Sequence, residues 1–146
     1  MQIQAGYSFY GQSIGILVFA GTAPRIPGDA GVATTFPFPV CYEIVEGSFA
    51  AIARREEGVK ANIIAAVKTL QSRGIKAVVG DCGLMSLYQR EMAEQGVLVA
   101  ASSLCQIPML WQMVGCAGKI GIITGHSGIL SPDFLNASGC KGIPVA

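Results

Sequence analysis

The stretch Lys76-Ala-Val-Val-Gly-Asp-Cys-Gly-Leu-Met-Ser86 decides how this chain is read. Ala77, Val78 and Val79 make a short apolar run bounded by Gly80 and Asp81, which is the pattern of a brief buried strand. The chain then presents Cys82 and turns through Gly83 into a segment, beginning at Leu84, that reads as a helix. A cysteine placed between the carboxyl end of a strand and the amino end of a helix faces unpaired N–H groups and the positive end of the helix dipole. Both favour thiolate over thiol, so a thiol more acidic than the free one is expected at Cys82. The same N–H groups can hold a carboxylate beside the sulfur. Free cysteine is also among the most buried residue types, and simple packing stands as the alternative role for Cys82.

Outward from this stretch, apolar runs of strand length recur at 14–19, 38–45, 97–101 and 119–124, and helical patterns at 48–72, 84–94, 104–114 and 131–138. Val59, Ile63, Ala66, Val67 and Leu70 share one face of the first helix, and Gly74 supplies the glycine expected after its last turn. Pro39 stands near the start of its strand, Pro108 begins or kinks its helix, and Ser131-Pro132 reads as an N-cap followed by a first-turn proline. The alternation predicts an α/β fold, a three-layer parallel sheet with helices on both faces and right-handed crossovers. Ligands of such sheets bind beyond the carboxyl ends of the strands, the edge where Cys82 lies. Gly115-Cys-Ala-Gly-Lys119 reads as a hinge, so residues 1–116 are expected to be a first α/β domain and residues 117–146 the start of a second, apparently truncated one. Gly142-Ile-Pro-Val-Ala146 reads as the opening of another strand, with more chain expected after it.

Composition narrows the classes. A chain of 146 residues suffices for a domain with a real core, and 51% hydrophobic against 13% charged residues fits a buried sheet rather than disorder. The ten basic and nine acidic residues are scattered, and the one dense cluster, Arg54-Arg-Glu-Glu57, cancels itself. Nucleic acid and anionic membranes are therefore unsuited partners, and a small neutral or anionic metabolite is expected. No apolar run reaches the length of a membrane span, and Met1-Gln-Ile-Gln-Ala-Gly6 lacks the regions of a signal peptide, which leads to a cytoplasmic expectation. Cys41, Cys82, Cys105, Cys116 and Cys140 are odd in number with no C-x-x-C pair, and His126 is the single histidine. Neither a disulfide framework nor a metal site is indicated.

Several side chains follow strands at the edge that carries Cys82. Ser102 and Ser103 come after the fourth strand, where a hydroxyl either reaches a ligand or caps the helix beginning near Leu104. Thr22 follows the first strand, and Thr124 and His126 follow the fifth. Arg25 and Asp29 sit in a Gly- and Pro-rich loop that reads as a lid or an oligomer contact.

Taken in order, Ile14-Gly-Ile-Leu17, Pro24-Arg-Ile-Pro-Gly-Asp29, Thr35-Phe-Pro-Phe-Pro-Val40, Gly80-Asp-Cys-Gly83, Ser102-Ser-Leu-Cys-Gln-Ile-Pro108 and Gly118-Lys-Ile-Gly-Ile-Ile-Thr124 resemble the aspartate/glutamate/hydantoin racemase superfamily. The resemblance runs over nearly the whole chain. It implies two similar α/β domains with the active site between them, each offering one cysteine at a strand end, and Cys82 matches the first. The implied activity is cofactor-independent racemisation of an amino acid or hydantoin. One cysteine removes the proton alpha to a carboxyl or carbonyl group, and the other returns a proton on the opposite face. Gly83 and Leu84 N–H groups would stabilise the developing charge, with Ser102, Thr22 and Thr124 as further substrate contacts. Where glutamate racemases carry Asn-Thr after the cysteine, this chain has Gly83-Leu84, which points away from glutamate.

In that family the second cysteine lies well into the second domain. Cys140 follows a helix rather than a strand and is a poor stand-in, so the chain is expected not to racemise by itself. Single-cysteine members resembling arylmalonate decarboxylase keep the second cysteine, unlike this chain. The exposed apolar side of the fifth strand leads to an expectation of a homo-oligomer. Two other classes stay open. A noncatalytic carboxylate-binding or interaction domain needs only the N–H groups. A cysteine-nucleophile hydrolase needs a histidine base, for which His126 is the sole candidate, and Gly-Asp-Cys-Gly-Leu is not a Gly-x-Cys-x-Gly elbow.

Overall fold

Four apolar segments pair into one sheet in the computed structural model, which describes residues 6–8 and 10–146. They are β1 (Ile14–Phe19), β2 (Cys41–Val45), β3 (Ala77–Gly80) and β4 (Leu98–Ala100), in the order β2-β1-β3-β4 with every pair parallel. The helices are α1 (Phe49–Ala53), α2 (Val59–Ser72), α3 (Gln89–Ala93), α4 (Ile107–Met113) and α5 (Pro132–Ala137). The expected α/β architecture is therefore present. The residues Met1-Gln-Ile-Gln-Ala5, on which most of the signal-peptide expectation rests, lie outside the described residues.

One face of the sheet carries the core. Leu17, Val45 and Val78 point to the side covered by Ile63, Val67 and Leu70 of α2, all buried. The glycine at position 15 makes this packing possible, because a Cβ there would lie 2.6 Å from Leu70 Cδ1. On the opposite face Ile16 is buried, while Ile44 and Leu98 remain 59% and 76% exposed. Removing the Leu70 side chain empties the contact between α2 and β1. Leu70→Ala is expected to lower the unfolding free energy by about 2–5 kcal/mol in a urea titration.

The helical elements depart from the sequence-based expectation in three places. The segment 48–72 is two helices, because Arg55 and Gly58 adopt φ of +55° and +93° and break the run. Gly74 closes α2 as expected: its N–H bonds the Gln71 carbonyl at 2.9 Å and the Ile75 N–H bonds the Leu70 carbonyl at 3.2 Å, a Schellman closure. Gly83–Tyr88 is a 3-10 helix, and only Gln89–Ala93 is α-helical. Ser131 precedes α5 without a side-chain cap bond.

The expected fifth strand does not join the sheet. Ile120 instead bridges Val145 in parallel. Ile120 N–H to Pro144 O, Ala146 N–H to Ile120 O and Ile122 N–H to Ala146 O, at 2.8–3.0 Å, are too few bonds for a regular ladder. A second apolar cluster gathers buried Leu104, Ile107 and Cys140 with Ile120, Leu135 and Ile143 around them. Phe134 of α5 belongs to the main core, and its carbonyl accepts from Ser86 Oγ at 3.2 Å.

Candidate active site

The parallel order brings the ends of β1 and β3 side by side, so the loops that follow them meet. Asp81 extends the β3 ladder, its N–H bonding the Leu17 carbonyl at 3.0 Å. Cys82 comes next, in extended backbone (φ −113°, ψ 127°), as the N-cap of the 3-10 helix. It lines a cleft of about 920 Å³ that opens above the carboxyl ends of the strands. Apolar walls come from Phe19, Leu84, Leu104, Ile107, Ile122 and Ile129. Cys82 is the one cysteine in that wall among the described residues.

The sulfur's acidity differs from the expectation. Burial pushes the Cys82 thiol above its ordinary value and the Asp81 charge adds to this, while the Leu84 and Met85 N–H groups pull it down. A six-residue 3-10 helix brings only those nearby donors to bear, and they do not outweigh desolvation. Less thiolate exists at neutral pH than on a free cysteine, but the thiolate that forms is a stronger base. The expected consequence is a rate of Cys82 alkylation that keeps rising with pH beyond about 8.5, the free-thiol value. Iodoacetamide labelling followed residue by residue by mass spectrometry measures this, and a plateau reached by neutral pH would refute it.

The other anticipated residues divide. Gly83, Leu84 and Thr124 line the cleft with Cys82, as does His126. Ser102 does not: it is buried and its Oγ accepts from the Leu104 N–H at 3.0 Å, so it is a cap, and Ser103 takes its place in the wall. Thr22 is exposed and lies outside the wall, although its neighbours Gly21 and Ala23 are in it. Of the two backbone donors expected, the Leu84 N–H is among the groups that pull the thiol down, whereas the Met85 N–H is bonded to the Cys82 carbonyl at 3.0 Å. Cys140 is buried among apolar residues with its thiol directed at the Leu104 and Ser138 carbonyls, 3.6 and 3.7 Å away, and does not reach the cleft.

His126 Nδ1 accepts from the Gly128 N–H at 3.1 Å. That bond occupies Nδ1, and among the described residues no hydrogen bond joins the imidazole to Cys82, which disfavours a cysteine-nucleophile hydrolase.

A charged group beside Cys82 was not anticipated from the sequence. Arg25 joins Asp29 Oδ1 and Asp81 Oδ2, each at 2.7 Å, tying the loop after β1 to the end of β3. The loop is further held by Tyr42 Oη–H to the Ala30 carbonyl at 2.8 Å and by the Gly31 N–H to Asp29 Oδ1 at 2.6 Å. Hydrogen bonds from Gly31 and Arg25 hold the Asp29 carboxyl below its ordinary range, whereas burial lifts that of Asp81 against the pull of Arg25. Among the described residues no group of three or more His, Cys, Asp or Glu side chains is placed to hold a metal, and no helix is long and apolar enough to cross a membrane.

No family model matches the chain. It is 30% identical over 125 residues to a dimethylsulfoniopropionate lyase of Durusdinium sp. clade D, a match covering 82% of this chain and 42% of that protein. Dimethylsulfoniopropionate lyase 3 of Emiliania huxleyi (strain CCMP1516) is 27% identical over 126 residues, covering 82% of this chain and 32% of the relative. Lyase 2 of Emiliania huxleyi is 31% identical over 118 residues, covering 70% and 33%. The chain thus spans less than half the length of these curated relatives. Among solved structures it superposes on an aspartate racemase homologue from Pyrococcus horikoshii OT3, with a TM-score of 0.58 and 15% identity over 92% of this chain and 63% of the other. The four-stranded parallel sheet with its helices is the α/β fold of that racemase homologue.

Proposed function

We propose that Cys82 is the base that removes the proton alpha to the carboxylate of a small substrate, in a cofactor-independent lyase acting on a carboxylate with a leaving group on the β carbon. The observation that carries this is the position of Cys82: a desolvated thiol at the carboxyl end of β3, in the wall of a cleft, with the Leu84 N–H beside it. A thiolate in low dielectric is a stronger base than one in water. A preorganised backbone donor answers the charge that develops on the carboxylate as the proton leaves.

Once the C–H pair is released it has two fates. It can form a double bond as the β substituent departs with its own electrons. With dimethylsulfoniopropionate this gives acrylate and dimethyl sulfide, with the proton on Cys82 passing to solvent. Alternatively, the carbanion takes a proton on the opposite face, which is racemisation. Elimination needs one base, and the cleft offers one thiol among the described residues. The names of the sequence relatives support the same outcome. Racemisation is the second reading, supported by the resemblance of the motifs, and it needs an acid facing Cys82.

The test is to incubate the purified chain with dimethylsulfoniopropionate and follow acrylate and dimethyl sulfide, with chiral aspartate and hydantoins in parallel. Stoichiometric acrylate and sulfide are expected. Inversion of the chiral substrates without elimination would transfer the assignment to racemisation, and inertness toward all of them would overturn the proposal.

A further inference from the structure

Cys82 shares the cleft wall with Arg25, Asp29, Asp81 and His126, and among the described residues no other titratable or charged side chain lines it. Three of these form one unit. The Arg25 guanidinium donates from Nη1 to Asp29 Oδ1 and from Nη2 to Asp81 Oδ2. Asp29 is held in turn by the Gly31 N–H at its carboxylate and by Thr35 Oγ1, which donates to its carbonyl at 2.8 Å. The guanidinium is thus fixed by one acid in its own loop and aimed at the other, which directly precedes Cys82. Asp81 cannot turn away, because its N–H is bonded to the Leu17 carbonyl and its side chain is only 7% exposed. Its Oδ1 has no hydrogen-bond partner, so among the described residues Arg25 is the one side chain bonded to this carboxylate.

We infer that Arg25 is a positioning residue for Cys82, acting through Asp81: it compensates the carboxylate that adjoins the thiol and so governs how readily the base forms. The inference rests on the reading of Cys82 as the base. An ionised carboxylate at the neighbouring position opposes a second negative charge, which makes thiolate scarcer and, once formed, more basic. A guanidinium held on that carboxylate offsets the repulsion without bonding the sulfur. Removing one partner of a buried ion pair leaves the other charge uncompensated. Here the charge left behind would stand next to the reacting residue. His126 takes no part in the unit, its bond being to the Gly128 N–H. The Gly- and Pro-rich loop that carries Arg25 therefore acts on the base without reaching it.

The pH dependence of Cys82 alkylation by iodoacetamide reads this directly in the whole chain. The reagent is uncharged, so the pH at which the rate rises reports ionisation of the thiol, and the limiting rate at high pH reports access to it. Arg25→Gln is expected to move the rise to higher pH and leave the limiting rate unchanged. At a fixed pH on the rise this slows alkylation about tenfold, the scale of one neighbouring charge. Asp81→Asn is expected to move the rise the other way. Arg25→Lys keeps the charge but loses the planar fork, and should fall between wild type and Arg25→Gln. In an Asp81→Asn background, Arg25→Gln should change the rate by less than about twofold, because the carboxylate on which it acts is gone.

A lower limiting rate with the rise unmoved would make Arg25 a purely structural brace and overturn the inference. So would an undiminished effect of Arg25→Gln in the Asp81→Asn background, since Arg25 would then act without Asp81. Should Arg25→Gln fail to fold, Arg25→Lys and Asp81→Asn carry the test, and profiles of both that coincide with wild type would overturn it. Labelling needs no substrate, so such a failure leaves Cys82 as the base, whereas failure of that reading shows in turnover and not in these profiles.

Discussion

Cys82→Ser is expected to reduce acrylate formation by about 10²–10⁴-fold, the range that a positioned acid or base contributes. The hydroxyl is nearly the same shape, so the site keeps its architecture. What is lost is a group that can ionise, since a serine hydroxyl in the same desolvated position stays protonated throughout the working pH range. The partial burial of Cys82 and its contacts with the main core leave little room for another cause. Stability should change by under about 1 kcal/mol, because an isosteric exchange empties no volume. Binding of a small carboxylate should survive as well, since the backbone N–H groups are untouched. A variant that is folded, binds and does not turn over is the expected phenotype.

Gly80→Ala is expected to be the most damaging small change in the fold. A Cβ at this position would lie 2.1 Å from the Ala101 carbonyl oxygen and 2.7 Å from Met85 Sδ. The sulfur of a methionine can swing away, but the carbonyl belongs to the backbone that follows β4 and cannot. Overpacking a core ordinarily costs about 1–3 kcal/mol, and a clash with main chain belongs at or beyond the top of that range. The damage is local to the site as well, because Gly80 is two residues before Cys82 and the Met85 N–H bonds the Cys82 carbonyl at 3.0 Å. A loss of about 3 kcal/mol in chemical denaturation, with Cys82 alkylated at an altered rate even where the protein remains folded, is the expected result. An unchanged midpoint would mean that β3 and the chain after β4 lie further apart than described.

The sheet and the position of Cys82 were legible in the sequence for a simple reason. Short β-branched runs separated by helical periods leave few arrangements, and parallel strands must all end at one edge. Ala77–Gly80 and the residues after it therefore landed where they were expected. The helix after Cys82 was misread because a six-residue apolar segment fits a period of three as well as one of 3.6, and Gly83–Tyr88 took the tighter form. That shortened the dipole on which an acidic thiol depended. The desolvation that reverses the shift comes from packing by distant segments and leaves no local trace.

The pair Arg25 and Asp81 was hidden for a similar reason, since the two residues are 56 positions apart. A signal was nevertheless present. Both follow strands predicted to lie in one parallel sheet, so an arginine in the loop after the first and an acid at the end of the third belong to one edge. Ser102 took the second of its two expected roles: it lies at that edge, and its hydroxyl caps the nearest free N–H, that of Leu104.

The central claim is that Cys82 breaks the C–H bond alpha to a carboxylate, whichever fate follows. Proton exchange in deuterium oxide tests it most directly, using trimethylammonio-propionate, whose amine is a poor leaving group. The wild-type chain is predicted to wash out the α-proton resonance while the β and methyl resonances persist, and Cys82→Ser is predicted to leave all three intact. Exchange proceeding equally in Cys82→Ser would show that another group is the base and would contradict the account.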